Sequence, residues 1–267
     1  MGTYSWDSKD YAKHSRAQQK WARELIEKLK LNGDEVLLDI GSGDGKVTAE
    51  IAGLLPRGQV VGVDSAPSMV QLARSRYPQA AHPNLSFELM DAAELNFKER
   101  FDLVFSNAAL HWLKDHGPVL DGSYAFLKPG GRILLQMGGE GNARLVVETI
   151  ETLIDQTGWH DYFGGFSFPY GFFGVAAYRT LLRESSFTVD RVECLSKDME
   201  HDGVEGLKGW LRTTWLPYTE RLPAQKRDAF IDSVVQHYLQ KVPLDAAEKA
   251  HVAMVRLEVE ARKPEQA

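Results

Sequence analysis

Cysteine is almost missing from this chain: Cys194 is the only one in 267 residues. That excludes an intramolecular disulfide framework and any multi-cysteine metal cluster. No stretch approaches the roughly 18 consecutive apolar residues of a membrane span, and the first ten residues lack the basic start and apolar run of a secretion signal. A cytoplasmic protein with no membrane partner is expected. Excess positive charge is also absent. With 31 Lys and Arg against 37 Asp and Glu, the net charge is -6, so no overall field draws the chain to a nucleic-acid backbone or an anionic bilayer. The 43% apolar and 25% charged composition excludes disordered and low-complexity classes and leaves an ordinary globular protein.

What is present is alternation. Trp21, Leu25, Ile26 and Leu29 recur at helical spacing, and Asn32-Gly33 closes that helix. Short apolar runs then alternate with helical patterns: Val36 to Ile40, a helix from Lys46, Val60 to Val63, a helix after Pro67, Leu85 to Glu88, Phe101 to Phe105, a helix from Pro118, and Ile133 to Gln136. Such alternation means parallel strands joined by crossover helices, a doubly wound α/β sheet whose ligands lie beyond the carboxyl ends of the strands. Residues 142 to 185 and 203 to 243 break the rhythm with helices and aromatic-rich joints. Phe187 to Leu195 and His251 to Ala261 return to strand period, with Val255, Leu257, Val259 and Ala261 alternating with Arg256, Glu258 and Glu260. The expectation is one domain over residues 1–267. Its core comprises about 1–140, 174–198 and 245–267, with helical cap insertions at about 141–173 and 199–244. Cys194, inside a strand, is expected to be a buried, inert thiol.

The most informative segment is Val36-Leu-Leu-Asp-Ile-Gly-Ser-Gly-Asp-Gly-Lys46, a buried strand running into a glycine loop and then a helix. Glycines at 41, 43 and 45 permit a tight turn and close approach of a ligand. Asp64 ends the second strand, where a carboxylate can accept hydrogen bonds from ribose hydroxyls. A dinucleotide fingerprint needs a third glycine where Lys46 stands, so a nicotinamide cofactor is disfavoured.

This loop, Leu38 to Gly45, resembles the first motif of the class I S-adenosylmethionine-dependent methyltransferases. Asp64, the polar pair Asp91-Ala92, and Leu127-Lys-Pro-Gly-Gly-Arg132 resemble the later motifs of that family, in the same order. The resemblance implies a Rossmann-like methyltransferase fold, a mostly parallel seven-stranded sheet with an inserted helical cap. It also implies S-adenosyl-L-methionine as cofactor and S-adenosyl-L-homocysteine as product. It places the backbone from Gly41 through Ser42 to Gly43 at the methionine part, Asp64 at the ribose, and Ser65, Met69, Asp91 and Ala92 around the base, with Asp39 and Asn107 also among the cofactor-binding residues. Ser106-Asn-Ala-Ala-Leu-His-Trp112 looks like the trans-aconitate and malonyl-carrier methyltransferase branch, and Tyr11 and Gln18 resemble the segment that covers the cofactor there.

Ala108 and Ala109 stand where amine methyltransferases acting on nucleic-acid bases carry prolines, so a small-molecule acceptor is expected and nucleic acid is not. O-methylation of a small carboxylic acid is the leading reading; C-, N- or O-methylation of an apolar or aromatic metabolite is the alternative. His111 is the candidate base, with Trp112 packing beside it, and no third ligand joins His111 and His116 in a metal site. Tyr170, from the aromatic segment 162–173, is a candidate substrate wall. Arg212 and Trp215 are candidates for holding a substrate carboxylate. Two rivals stay open: a nucleoside-binding sensor, and a short-chain reductase suggested by Ser106-Asn-Ala-Ala109 with Tyr124 and Lys128.

Overall fold

The computed structural model describes residues 16–98, 100–156 and 158–265, the side chains of 16–20 and 156 excepted. Seven strands form one sheet in the order β3-β2-β1-β4-β5-β7-β6. They are β1 (Val36–Ile40), β2 (Gln59–Asp64), β3 (Leu85–Leu89), β4 (Phe101–Asn107), β5 (Leu127–Gly138), β6 (Thr188–His201) and β7 (Ala250–Arg262). The first five are parallel; β7 lies antiparallel to both β5 and β6. The helices are α1 (Arg16–Glu27), α2 (Lys46–Gly53), α3 (Pro67–Arg76), α4 (Gly117–Phe126), α5 (Arg144–Gln156), α6 (Val175–Glu184), α7 (Gly203–Thr214), the short α8 (Leu216–Thr219) and α9 (Ala224–Lys241). No helix among the described residues is long and apolar enough to cross a membrane.

Strand chemistry explains the two-sided cover. Leu38 and Ile40 pack on one face with Val104, Leu135 and the α6 residues Tyr178 and Leu182, while Leu37, Phe105 and Leu134 pack on the other with Leu25 and Leu29 of the N-terminal helical region and Ile51 of α2. The order reverses on either side of β1, and the loops after β1 and β4 diverge there, opening the crevice that doubly wound sheets use for ligands.

A second core lies among α5, α7, α9 and the aromatic segment 159–172, centred on Ile150, Trp210, Tyr218, Phe230 and Val234. The link to the sheet is the β6–β7 hairpin. β5 pairs with β7 only as far as Gly138 and Arg256, but β6 and β7 remain paired out to His201 and Ala250. The arm beyond β5 contributes Met199, Val252 and Met254 to the second core. Gly139 bridges Phe173, so the segment between them leaves and rejoins the sheet at one point. Cys194 is exposed, contrary to the expected burial, because it lies on β6, the edge strand of the sheet.

The polar side of β7 is also buried. Glu258 is 1% exposed and takes Lys28 Nζ at 2.5 Å, Arg191 Nη1 at 2.6 Å and Gln136 Nε2 at 3.2 Å. Burial alone would raise its pKa, but the two cations outweigh burial and hold it below the ordinary carboxylate range. A depressed carboxylate stabilises the fold above its unfolded pKa and loses that contribution as pH falls through the folded value. Glu258→Ala is expected to cost about 2 kcal/mol at pH 7, below the cost of stranding a fully buried charge because Lys28 and Arg191 keep some solvent. In urea melts the cost should shrink toward pH 3; a pH-independent difference contradicts the ionic account.

Candidate active site

The glycine loop is tied down by its own strands. Gly41 and Ser42 donate their backbone N–H groups to Val63 O at 2.8 and 2.9 Å, and Gly43 N–H goes to Asp64 Oδ2 at 2.9 Å. Its first three amides are therefore spent inside the protein. A phosphate-binding loop keeps such amides free to cradle oxygens; this one offers a ligand surface and space instead. Gly41 has φ +77°, and a Cβ there would come within 2.1 Å of Ala109 Cβ. Gly43 has φ +54° and nothing within 4 Å of where a Cβ would stand, leaving open room against the backbone.

Beyond the loop is a cleft of about 720 Å³, open to solvent and walled by Gly41, Gly43, Asp64, Ser65, Ala66, Met69, Met90, Ala92, Ala108, Ala109 and Trp112 among others. Among the described residues, Asp64 is the only charged side chain that lines it, and no Lys or Arg does. Asp64 also accepts Ala66 N–H at 2.8 Å on Oδ1. Burial raises its pKa, opposed by the backbone bonds from Ala66 and Gly43. Each oxygen keeps a lone pair for a ligand hydroxyl.

The other residues expected here divide. Gly41, Gly43, Asp64, Ser65, Met69 and Ala92 line the cleft. Asp39 does not: it is buried under the loop and accepts Thr48 Oγ1 at 2.6 Å, fixing strand to helix rather than touching a ligand. Ser42 is buried beside the loop with an unpartnered hydroxyl, and Asn107 ends β4 with a buried Oδ1 lacking a hydrogen bond. Asp91 accepts Ala93 N–H at 2.9 Å and caps the turn whose Ala92 faces the cleft. Tyr11 lies outside the described residues, as does the Gln18 side chain.

A second cavity, with about 510 Å³ of empty space, adjoins the first through shared walls at Ala108 and Trp112. His111, Tyr170, Phe172, Trp210, Trp215, Met199, Met254, Asn142, Thr214 and Arg256 complete it. The aromatic segment therefore splits: Phe163 and Phe166 pack against Tyr218 in the second core, whereas Tyr170 and Phe172 stack at 5.3 Å along the cavity. Arg212 is exposed on α7 and does not line the cavity. It lies off the inward stripe of Leu207, Trp210 and Leu211. The cavity's cation is instead Arg256 of β7, 4% exposed, with its guanidinium 5.3 Å from the centre of the Trp21 ring. Its alternation with Val255 and Leu257 had given no sign of burial, since both faces of β7 are covered.

His111 Nδ1 accepts a long 3.4 Å bond from Gly138 N–H, which leaves the ring proton on Nε2. Enclosure first, then the positive charges of Arg256 and of His116, push the imidazole well below its usual pKa. It is neutral at neutral pH and poorly suited to hold a proton. His116 is bound to Leu110 O at 2.8 Å and faces Tyr178 Oη. The reductase pair does not meet a ligand site: Tyr124 packs on Phe187, and Lys128 pairs with Asp102 at 2.8 Å.

Residues 37–131 match the family described as a methyltransferase domain. A trans-aconitate 2-methyltransferase of Deinococcus radiodurans is 32% identical over 98% of this chain and 99% of its own length. The chain belongs to the class I S-adenosylmethionine-dependent methyltransferases, in the trans-aconitate methyltransferase branch. An uncharacterized methyltransferase of Schizosaccharomyces pombe is 33% identical over 72% of this chain and 74% of that protein. The solved YcgJ protein of Bacillus subtilis shares the fold, with a TM-score of 0.65 at 17% identity over 92% of this chain and 99% of that one. This methyltransferase thus has the Rossmann-like sheet of its family, with β7 inserted antiparallel between β5 and β6.

Burial, with a smaller contribution from nearby Asp64, raises the Asp39 carboxyl from 3.8 to about 7 against the opposing Thr48 bond. A carboxyl whose folded pKa is raised costs stability as pH rises from the unfolded value to the folded one. Asp39→Asn keeps an acceptor for Thr48 and removes that cost. Its stability relative to the native protein should rise between pH 4 and 7 and then level off in urea unfolding. A flat difference across that range contradicts a buried, titrating Asp39.

Proposed function

We propose that this methyltransferase transfers a methyl group to a carboxylate oxygen of a small organic acid, using S-adenosyl-L-methionine. The observation that carries the reading is the buried Arg256 in an aromatic cavity that opens into the cofactor cleft. The planar fork of a guanidinium matches the geometry of a carboxylate. Trp215 adds a buried indole N–H with no hydrogen-bond partner on the same wall. The relatives named for trans-aconitate agree with an acid acceptor.

The cleft suits the cofactor by its charges. When bound, S-adenosylmethionine supplies an electrophilic methyl carbon on a cationic sulfur, which leaves as the neutral thioether of S-adenosylhomocysteine. Among the described residues the cleft is lined by one carboxylate and no cation, and the amides of Gly41 to Gly43 are already bonded, which favours that ligand over a phosphate-bearing nucleotide. In this reading Asp64 accepts the ribose hydroxyls, while Ser65, Met69, Asp91 and Ala92 surround the base. Gly41 to Gly43 and Asn107 flank the methionine end, and the segment carrying Tyr11 and Gln18 covers it.

The chemistry asks little proton handling of the protein. A carboxylate is already ionised, so its oxygen forms the new O–C bond as the S–C bond breaks, and no base is needed. The protein contributes alignment and exclusion of water. His111 is then a neutral wall and hydrogen-bond donor, with Trp112 separating and joining the two cavities.

Arg256→Leu should raise the acceptor KM by about a hundredfold, the cost of losing a charged hydrogen bond, with S-adenosylmethionine Kd within twofold of native by calorimetry. An unchanged KM sinks the role of Arg256. If His111 is not a base, kcat/KM for an acid acceptor stays flat from pH 6 to 8.5; an acidic limb near 6.5 that vanishes in His111→Asn restores the general-base role.

A further inference from the structure

We infer that Ala108, held in a left-handed turn between the two cavities, sets the width of the passage through which the methyl group is delivered, and so restricts the donor to a methyl sulfonium. The inference rests on the reading that the cofactor occupies the cleft and the acceptor the second cavity, and it is independent of the acceptor's chemistry. Three observations carry it.

The first is position. Among the described residues, Ala108 and Trp112 are the two that line both the cleft and the second cavity. The methyl group passes from one space to the other beside them. Trp112 is a packed wall: its ring stands edge-on to Tyr170 at 5.2 Å and lies 5.8 Å from the His111 ring. The other shared wall is a residue whose side chain is a single carbon.

The second is the backbone. β4 pairs with β5 as far as Asn107 and Gln136, and Ala108 extends the ladder by donating its N–H to Gln136 O at 2.8 Å. The chain then turns, with Ala108 at φ +56°. A Cβ is disfavoured in that region because it crowds the following carbonyl, and a β-branched side chain is a genuine outlier there. Lys30, Ala143, Ser186 and Glu248 also have positive φ, and none of them lines either cavity. Strain of this kind persists only where the surroundings over-determine it.

The third is that the surroundings of the turn are fixed on both sides. The Ala109 Cβ stands 2.1 Å from where a Cβ on Gly41 would be, so this loop is pressed against the glycine loop. Ala109 O accepts Trp112 N–H at 3.1 Å, and His111 O accepts Gly171 N–H at 2.9 Å. Gln136, which holds the Ala108 nitrogen, is itself buried and bonded to Glu258. With its neighbours pinned in this way, the passage widens or narrows with the side chain at position 108 rather than by movement of the backbone.

The test is calorimetric binding to the full-length enzyme, without acceptor, of three ligands that differ only at sulfur. They are S-adenosylhomocysteine, S-adenosylmethionine and the sulfonium analogue with isopropyl in place of methyl, which is branched at the carbon next to sulfur. The native enzyme should bind the isopropyl analogue about tenfold more weakly than S-adenosylmethionine, the scale of overpacking a close-packed site, and Ala108→Gly should bring the two within about threefold. Asn tolerates the left-handed region, so Ala108→Asn narrows the passage without breaking the turn. It should weaken S-adenosylmethionine by about tenfold and leave S-adenosylhomocysteine within about twofold. Equal affinity of the native enzyme for the two sulfonium ligands overturns the inference, and so does a loss in Ala108→Asn that is the same for S-adenosylmethionine and S-adenosylhomocysteine, as a merely structural residue would give. Binding of none of the three by the native enzyme overturns the cofactor reading and the inference with it. Ala108→Gly should also unfold at higher urea than the native chain, because it relieves the left-handed turn; earlier unfolding contradicts strain at Ala108.

Discussion

Three parts of this enzyme pack around one buried guanidinium, that of Arg256. Arg256 sits on β7 opposite Gly138, the last point at which the hairpin still pairs with β5. Its charge lies over Trp21 of α1, and its cavity is closed by Trp210 and Trp215 around α7. Sheet, N-terminal helix and cap meet at this residue. The hairpin arm that carries Met199, Val252 and Met254 into the cap core is what fixes those three parts relative to each other. A shift of the arm moves Arg256 and the aromatic walls together, so the shape of the second cavity and the packing of the cap are one structural problem.

The donor side obeys a different constraint. Its glycine loop satisfies the amides of Gly41 to Gly43 through Val63 and Asp64, which leaves a close surface on which, among the described residues, Asp64 carries the only charge. In the proposed reading that arrangement suits a cationic sulfur better than a phosphate. The acidic balance of the whole chain agrees with this local chemistry. Beneath the loop, Asp39 and Thr48 lock strand to helix, so the acidic residue of the motif acts through the loop's shape.

The donor half was legible in the sequence because its determinants are local. A strand, a glycine turn and a helix occupy consecutive residues, and Asp64 follows one crossover later, so spacing alone places Gly41, Gly43 and Asp64 in one crevice. The acceptor half is assembled from distant segments. Tyr170 is legible from the aromatic density of segment 162–173, since rings of that number must be buried, and Trp215 from the stretch that also carries Arg212. Arg212 was a misplacement: Leu207, Trp210 and Leu211 define the buried stripe of α7, and Arg212 falls outside it. Arg256 was hidden by the ordinary meaning of alternation. In a strand covered on one side a charged residue every second position faces water, but β7 is covered on both sides and both Arg256 and Glu258 are buried. The strands β6 and β7 run past the expected Phe187–Leu195 and His251–Ala261, because the residues that extend them pair with each other beyond β5 and answer to the cap's packing.

The most direct test of the account is a crystal structure of the full-length enzyme with S-adenosylhomocysteine. The account predicts the ribose hydroxyls on the Asp64 carboxylate at about 2.8 Å and the sulfur facing Ala108 and Trp112. A ribose away from Asp64, or a nucleoside outside the cleft beside Gly41 and Gly43, would contradict it.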